Sequence, residues 1–222
     1  MGSVTIKRYA GVAQLAEQLI RNQQVAGSIP VASSIYSIKC MEMIIMGDNI
    51  FLKDVKPIRF EDYMTCTDGC RGNLGDEIPV AVYRLLEYSL KEELIEQFGK
   101  EKQVEIFRNA GRRAGEYFAS KYLNLEQPLD SFISELQDRL AEMKIGVLRV
   151  EDVDDSTGRI ILTVAEDADC SGLPVLGETV CNYDEGFISG ILTKYSGKSY
   201  NAVEVDCWAT GDRVCRFRAE ID

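Results

Sequence analysis

Along residues 82–98 apolar side chains recur at intervals of three and four, at Val82, Leu85, Leu86, Leu90, Leu94 and Phe98. That period gathers them on one helical face and predicts a buried stripe ending at Gly99. Asp76 stands where a cap would, and Pro79 is tolerated in a first helical turn. A second helix is predicted over residues 101–122 and a third over residues 129–143. Beyond Gly146 the period changes to two, so residues 147–150 and 159–164 read as strands joined by a turn at Asp154-Asp-Ser-Thr-Gly158. A further helix over residues 178–195 is expected to bury Val180, Phe187, Ile188, Ile191 and Leu192. Strands over residues 200–206 and 213–219 follow. The order describes an α+β domain, with N-terminal helices packed on a small antiparallel sheet.

The second helix carries Ala110-Gly111 and Ala114-Gly115, two small pairs four residues apart on one face. Small residues in register let another backbone approach closely, which points to a neighbouring helix or a dimer partner. A glycine face also leaves room for a bound group, although packing is the simpler reading. Residues 47–76 are rich in turn formers, as in Thr65-Cys-Thr-Asp-Gly-Cys-Arg-Gly72, and are expected to be mostly loop.

Residues 1–40 differ from the rest. They hold Lys7, Arg8, Arg21 and Lys39 against the single acid Glu17, whereas the whole chain carries a net charge of -11. The stretch from Gly11 to Val31 resembles a transfer-RNA gene read as protein. Codons for residues 26–31 can be written GCG GGT TCG ATT CCC GTC, which forms a T-arm hairpin, and codons for residues 13–17 can form a D-arm. The leader 1–40 is therefore expected to be spurious or disordered, with translation starting at Met41, Met43 or Met46. The competing reading is an amphipathic targeting helix built on Val12, Leu15, Leu19 and Ile20. Residues 41–76 then serve as a linker, and residues 77–222 form the folded domain.

The 222 residues are 45% hydrophobic, enough for one sizeable core. Acidic residues number 36 against 25 basic ones, which works against nucleic acid or anionic membrane as a partner. The longest apolar runs, such as residues 43–46, are far too short to span a bilayer. No signal-peptide pattern is present, so the seven cysteines are expected to be thiols or metal ligands in a reducing cytoplasm.

Three of those cysteines and one acid cluster near the end of a chain that has no histidine: Cys181, Glu204, Cys207 and Cys215. Cys207 and Cys215 flank an Ala-Thr-Gly-Asp turn, and a hairpin there returns both thiols to one end of the sheet. With Glu204 three positions before Cys207, all four can converge on one cation, and a thiolate and carboxylate set suits zinc. The competing reading is four buried side chains without a metal, since free cysteine is among the most buried residue types. Cys170 stands as the alternative to Glu204. Cys66-x3-Cys70 offers too few ligands for a site of its own.

The run Gly177-Glu-Thr-Val-Cys181-Asn-Tyr-Asp-Glu-Gly186-Phe187-Ile-Ser-Gly190, continued by Glu204-Val-Asp-Cys207 and Gly211-Asp-Arg-Val-Cys215-Arg-Phe217, resembles the V4R domain. That family takes its name from 4-vinyl reductase proteins of bacteriochlorophyll synthesis. It includes the sensor domains of aromatic-responsive transcription regulators and is structurally related to subunits of a Golgi tethering complex. The resemblance implies a zinc site at Cys181, Glu204, Cys207 and Cys215, a homodimer, and a pocket between helices and sheet for a small apolar or aromatic molecule such as a hydrocarbon. Four protein ligands leave no open position, so the Zn²⁺ is expected to be structural. Arg213 and Arg216 are candidate donors around it. Phe107, Phe118, Tyr122, Phe132, Phe187 and Trp208 are the ligand-binding candidates, each of them also readable as plain core. The Trp208 indole N–H needs a partner and is expected to brace the hairpin. Without histidine there is no ring to hold a phenol hydroxyl, which favours a more apolar or longer ligand.

The expectation is therefore a zinc-containing sensor or carrier domain without catalysis. The alternative is a vinyl reductase-type oxidoreductase, or an accessory protein of tetrapyrrole metabolism. Against the alternative, the chain has no G-x-G-x-x-G after a strand, no P-loop and no cluster-type cysteine run, and without histidine it can build no Ser-His-Asp or Cys-His arrangement. No output domain is recognisable, so a signal is expected to pass through self-association or a separate signalling partner.

Overall fold

The structure is a computed structural model that describes residues 57–65 and 69–222. The leader 1–40, the candidate starts Met41, Met43 and Met46, and Cys66 lie outside the described residues. Of the linker, α1 (Phe60–Tyr63) is a single helical turn, opened by the Arg59 N–H donating to Asp62 Oδ2 at 2.9 Å. Cys70 departs from the expectation of thiols throughout: it is disulfide-bonded.

Two long helices follow, α2 (Val80–Phe98) and α3 (Lys100–Tyr122), divided at Gly99. Its φ of 82° lies in the left-handed region that favours glycine, so the chain breaks helix there and restarts in a new direction. Next come α4 (Leu129–Glu142), β1 (Val147–Asp154) and β2 (Arg159–Ala165). The chain ends with α5 (Asn182–Ser196), β3 (Tyr200–Asp206) and β4 (Cys215–Ile221). The sheet is antiparallel in the order β1-β2-β4-β3, so the α+β reading with a small four-stranded sheet holds. In the first hairpin β1 runs four residues and β2 one residue longer than the alternating pattern suggested. The helix α5 begins later than residue 178, because residues 178–181 are spent bringing Cys181 into the core.

The inner face of the sheet presents Leu148, Ile160, Leu162, Val164, Ala202 and Phe217, all buried. Opposite stand Phe132, Leu136 and Leu140 of α4 and Ile188, Ile191 and Leu192 of α5. On its other side α5 crosses α3 at backbone contact. A Cβ on Gly111 would overlap the Tyr183 carbonyl oxygen, and one on Gly115 that of Phe187. The relation is reciprocal, because Gly186 and Gly190 of α5 meet the carbonyl oxygens of Arg108 and Arg112. Four glycines let two helices close to a distance that no other residue allows.

One expectation is corrected here. The helix α2 forms where its period predicts, but its apolar stripe faces outward: Leu85, Leu86 and Phe98 are 73%, 70% and 63% exposed, and Glu87 is the buried residue. The reason lies on the opposite face, where Tyr83, Arg84, Tyr88 and Lys91 all bond to the segment after β2. The Tyr83 hydroxyl donates to Asp169 Oδ1 at 2.6 Å, and the Tyr88 hydroxyl to the Asp169 carbonyl at 3.0 Å. Arg84 donates to the carbonyls of Ala168 and Ser171, and Lys91 to that of Val180. Five polar side chains turned inward leave the apolar stripe on the outside.

Candidate metal centre

Four thiols meet behind the sheet. Cys170 comes from the loop after β2, Cys181 immediately precedes α5, Cys207 immediately follows β3, and Cys215 opens β4. All are buried to within 1% of completely. The Cys181 sulfur lies 3.8 Å from that of Cys207 and 3.7 Å from that of Cys215, and Cys170 lies 3.0 Å from Cys215. With Zn–S bonds of about 2.3 Å, a tetrahedral site has sulfur–sulfur edges of about 3.8 Å, so two of these separations already have the size of such an edge. The donor set is compatible with a thiophilic metal ion. Hydrogen bonds from Cys170, Cys181 and Cys215 pull the Cys207 thiol down, those from Cys170, Cys207 and Cys215 push Cys181 up, and those from Cys170 and Cys207 push Cys215 up.

The second hairpin is built around this cluster. Between β3 and β4, residues Trp208–Thr210 make one 3-10 turn, closed by the Asp212 N–H donating to the Cys207 carbonyl at 3.1 Å. Thr210 Oγ1 accepts from the Cys207 N–H at 3.1 Å and donates to the Cys207 carbonyl at 2.7 Å. The loop between Cys170 and Cys181 is tied to this turn. The Trp208 indole N–H donates to the Leu173 carbonyl at 3.0 Å, and the Leu176 and Gly177 N–H groups donate to the Ala209 carbonyl. Trp208 thus links the hairpin to the Cys170 loop.

Of the residues singled out by spacing, Cys181, Cys207 and Cys215 lie in the cluster and Glu204 lies beside it. Glu204 Oε2 accepts the Cys181 N–H at 3.1 Å, Oε1 has no partner, and burial together with the Cys207 sulfur pushes the carboxyl up to about 8. The fourth sulfur is that of Cys170. The expectation for the arginines is corrected, because neither reaches the thiols. Arg216 pairs with Glu151 at 2.8 Å and with Asp206 on the outer face, and Arg213 is exposed.

Two further groups escaped the sequence. Glu185, 2% exposed, accepts two bonds from Arg108 and a third from the Glu204 N–H at 3.0 Å, so one carboxylate ties α3, α5 and β3 together. Asp167, Asp169 and Asp184 converge next to the thiols, with an oxygen of each within 4.8 Å of the others and of the Cys181 sulfur. Burial first, then Asp169, pushes Asp167 up to about 7 and Glu87, on α2, up to about 8; Asp169 and Asp184 are raised by burial too. No periodicity reveals either group, since their members come from different elements.

A cavity of about 40 Å³ lies between α4, α5 and the sheet. Its wall is Leu136, Leu140, Leu148, Leu162, Phe187 and Ile188 among others, with Asp167 and Asp184 at one edge. Of the six ligand-binding candidates, Phe187 lines it. Phe118 packs edge-on against Phe187 at 5.2 Å, and Tyr122 lies 5.3 Å from Phe118. Phe132 stacks on Tyr195 at 3.9 Å, Phe107 is buried on α3, and Trp208 belongs to the hairpin. These last five are absent from the cavity wall. Counted as room for water-sized spheres, of which one water needs about 10–15 Å³, this volume holds a few waters, so an aromatic molecule would require the walls to part. Among the described residues no helix is long and apolar enough to cross a membrane.

Comparison with known proteins follows the same geometry. A family model, the V4R domain, matches residues 160–221, the segment that carries all four thiols and α5. The uncharacterized protein MJ0150 of Methanocaldococcus jannaschii is 30% identical over 149 residues, 67% of this chain and 79% of that protein. A second uncharacterized protein of the same organism, MJ1642, is 27% identical over 151 residues, 67% of this chain and 81% of that protein. The phenol-responsive sensory domain of the transcription activator PoxR, solved with phenol, shares the fold at a TM-score of 0.51 and 16% identity, over 65% of this chain and 75% of that one. The chain belongs to the V4R domain family.

Proposed function

We propose that this protein is a ligand-binding module that takes a small apolar or aromatic molecule into the cavity between α4, α5 and the sheet. In this reading a structural Zn²⁺, held by Cys170, Cys181, Cys207 and Cys215, braces one wall. Cys170 takes the place given to Glu204 by spacing, and Glu204 instead holds the Cys181 backbone. The single observation that carries the reading is continuity. Val164 and Asp167 of the cavity wall run directly into Cys170, and Asp184 and Phe187 follow directly on Cys181. A metal that fixes the two cysteines fixes that wall.

A ligand larger than the cavity selects an arrangement with α4 or α5 drawn back from the sheet. It shifts the population toward that arrangement by as much as its affinity differs between the two. The outward stripe of α2 supports a homodimer, since an apolar face of Leu85, Leu86, Leu90 and Phe98 gains most by covering a copy of itself. A sensor of this design passes its signal through self-association or a separate signalling partner, whereas a carrier needs neither. Four free thiols in the core suit a cytoplasmic, reducing setting, whereas the disulfide at Cys70 counts against it.

Native mass spectrometry of the purified protein, with metal analysis, tests the reading. Zinc that is lost on Cys215→Ser, together with a co-purifying lipid-like or aromatic mass, is the expected result. A bound flavin or iron–sulfur chromophore would overturn it in favour of a reductase.

A further inference from the structure

A second opening in the fold is larger than the apolar cavity and opposite to it in character. This cleft, of about 260 Å³, lies between α3, α5 and β3, whereas the cavity on the sheet side of α5 holds about 40 Å³. Its walls are mainly polar, with Arg108, Asn109 and Arg112 from α3, Glu185 and Ser189 from α5, and Asn201 from β3.

Most of the charge in this cleft is matched within the protein. Glu185 is clasped by Arg108 and also accepts the Glu204 N–H, and Glu105, toward the other end of the cleft, pairs with Lys102 at 2.7 Å. Arg112 is the exception. Its Nη1 donates to the Thr193 hydroxyl at 3.3 Å and its Nη2 to the Tyr200 carbonyl at 2.7 Å, both of them neutral acceptors. Among the described residues no carboxylate oxygen lies within 4.0 Å of an Arg112 nitrogen. The residue is half-buried, so its charge is partly withdrawn from water with nothing of opposite sign to compensate it. The chain has 36 acidic residues against 25 basic ones, yet none of the acids serves this arginine.

Donors around it are also left over. A guanidinium carries its N–H groups in one rigid plane, and here Arg112 Nε and Arg108 Nη1 make no hydrogen bond within the protein. The side-chain amides of Asn109 and Asn201 make none either. Both guanidinium planes are nevertheless held, that of Arg112 by Thr193 and Tyr200 and that of Arg108 by Glu185. Glu101, the remaining acid of the wall, is exposed and lies about 16 Å from Arg112 along the helix axis, far enough for salt to screen it. Fixed donors around an uncompensated positive charge are what an oxyanion requires.

We propose that this cleft binds a small metabolite through an oxyanion group, a carboxylate or a phosphate, seated on Arg112 and flanked by Arg108 Nη1 and the amides of Asn109 and Asn201. Because the guanidinium planes are fixed before the anion arrives, little ordering opposes binding. The volume falls just under the range of about 300–1,000 Å³ usual for small-molecule sites, which limits the ligand to a small one. The cleft shares no lining residue with the apolar cavity and contains none of the four thiols, so the site stands apart from both the zinc and the apolar ligand.

The test is nitrogen-15 NMR of the full-length protein, following the arginine Nε–H and asparagine amide signals while sodium phosphate or sodium acetate is added, with sodium chloride at matched ionic strength as control. A saturable shift of the Arg112 Nε–H and the Asn201 amide with phosphate, with acetate or with both, and none with chloride, is the expected result. Saturation by phosphate alone assigns the site to phosphate esters, and saturation by acetate alone to carboxylates. Shifts that rise without saturating, or that chloride reproduces, overturn the proposal. Arg112→Gln should abolish saturation, and Asn201→Ala should weaken it about fivefold, the worth of one hydrogen bond. Saturation unchanged in a folded Arg112→Gln overturns the site. If Arg112→Gln does not fold, the wild type and Asn201→Ala decide, a fall in affinity at Asn201→Ala supporting the site and equal affinity overturning it.

Discussion

Arg108 clasps Glu185 with two nitrogens, Nε at 2.6 Å and Nη2 at 2.9 Å, across the crossing of α3 and α5. The carboxylate is buried and the arginine side chain is 43% exposed, so the pair is anchored on one side and solvated on the other. Removing the arginine strands a buried charge. We expect Arg108→Ala to cost about 2 kcal/mol, less than for a fully buried pair because solvent screens the guanidinium. In urea unfolding, Arg108→Ala/Glu185→Gln should recover part of that loss, and a strictly additive double variant would deny the coupling.

The glycine crossing makes a sharper demand. A methyl group at Gly115 or Gly186 has only backbone to displace, and backbone in two packed helices does not yield as a flexible side chain does. Gly115→Ala should lose about 3 kcal/mol or fail to fold, the upper part of what overpacking costs. Gly72→Ala, where an added Cβ meets nothing within 4 Å, is the matched control and should be neutral. Thermal melts of the two variants check it.

For the thiol cluster, ligand removal and metal removal should coincide. If the metal braces Cys170, Cys181, Cys207 and Cys215, then Cys207→Ala and exhaustive chelation should each lower the melting temperature by more than about 10 °C, because binding energy at a structural site is folding energy. An unchanged melting temperature after verified metal removal would show that the thiols are simply core.

Glu87 gives the protein a pH dependence with a definite sign. Its folded value of about 8 stands above the usual carboxyl value of 4.5, raised by burial, then by Asp169 and Asp167, and opposed by Lys91. The folded state therefore holds a proton that the unfolded state has released between these two values, and stability falls as pH rises through that window. Below it the penalty is absent. The melting temperature of the wild type should drop, relative to Glu87→Gln, between pH 5 and pH 9; parallel curves would show that Glu87 ionises freely.

Filling the cavity should separate binding from folding. Leu148→Phe adds bulk where about 40 Å³ is free, so stability should stay within about 1.5 kcal/mol of the wild type. Fluorescence of an apolar reporter such as anilinonaphthalene sulfonate should weaken at least tenfold in apparent affinity. Equal binding by both proteins would place the ligand elsewhere.

Periodicity carried most of the architecture. The helices α3 and α4 fall within two residues of their predicted bounds, α2 ends where predicted but is capped by Pro79 and not by Asp76, and Gly111 and Gly115 do permit close approach of a neighbouring helix. What period cannot state is which way a face points. The stripe from Val82 to Phe98 is regular, yet the inward side is chosen by Tyr83, Arg84, Tyr88 and Lys91, whose partners lie far away along the chain. The site was legible in part for a similar reason. Cys207 and Cys215 share a hairpin and announce each other by spacing, whereas Cys170 reaches the cluster through an irregular loop held by Trp208. Glu87 and Asp169 belong to different elements, and nothing local links them.

The outward stripe of α2 and its inward grip on Asp169 are two sides of one rigid rod. A helix with its side chains is about 10 Å across, so whatever settles on Leu85 and Leu86 lies one rod's width from the carboxylates and thiols behind it. The side chains that link that surface to the segment holding Asp167, Asp169 and Cys170 are Tyr83, Arg84 and Tyr88, each one hydrogen bond away from it.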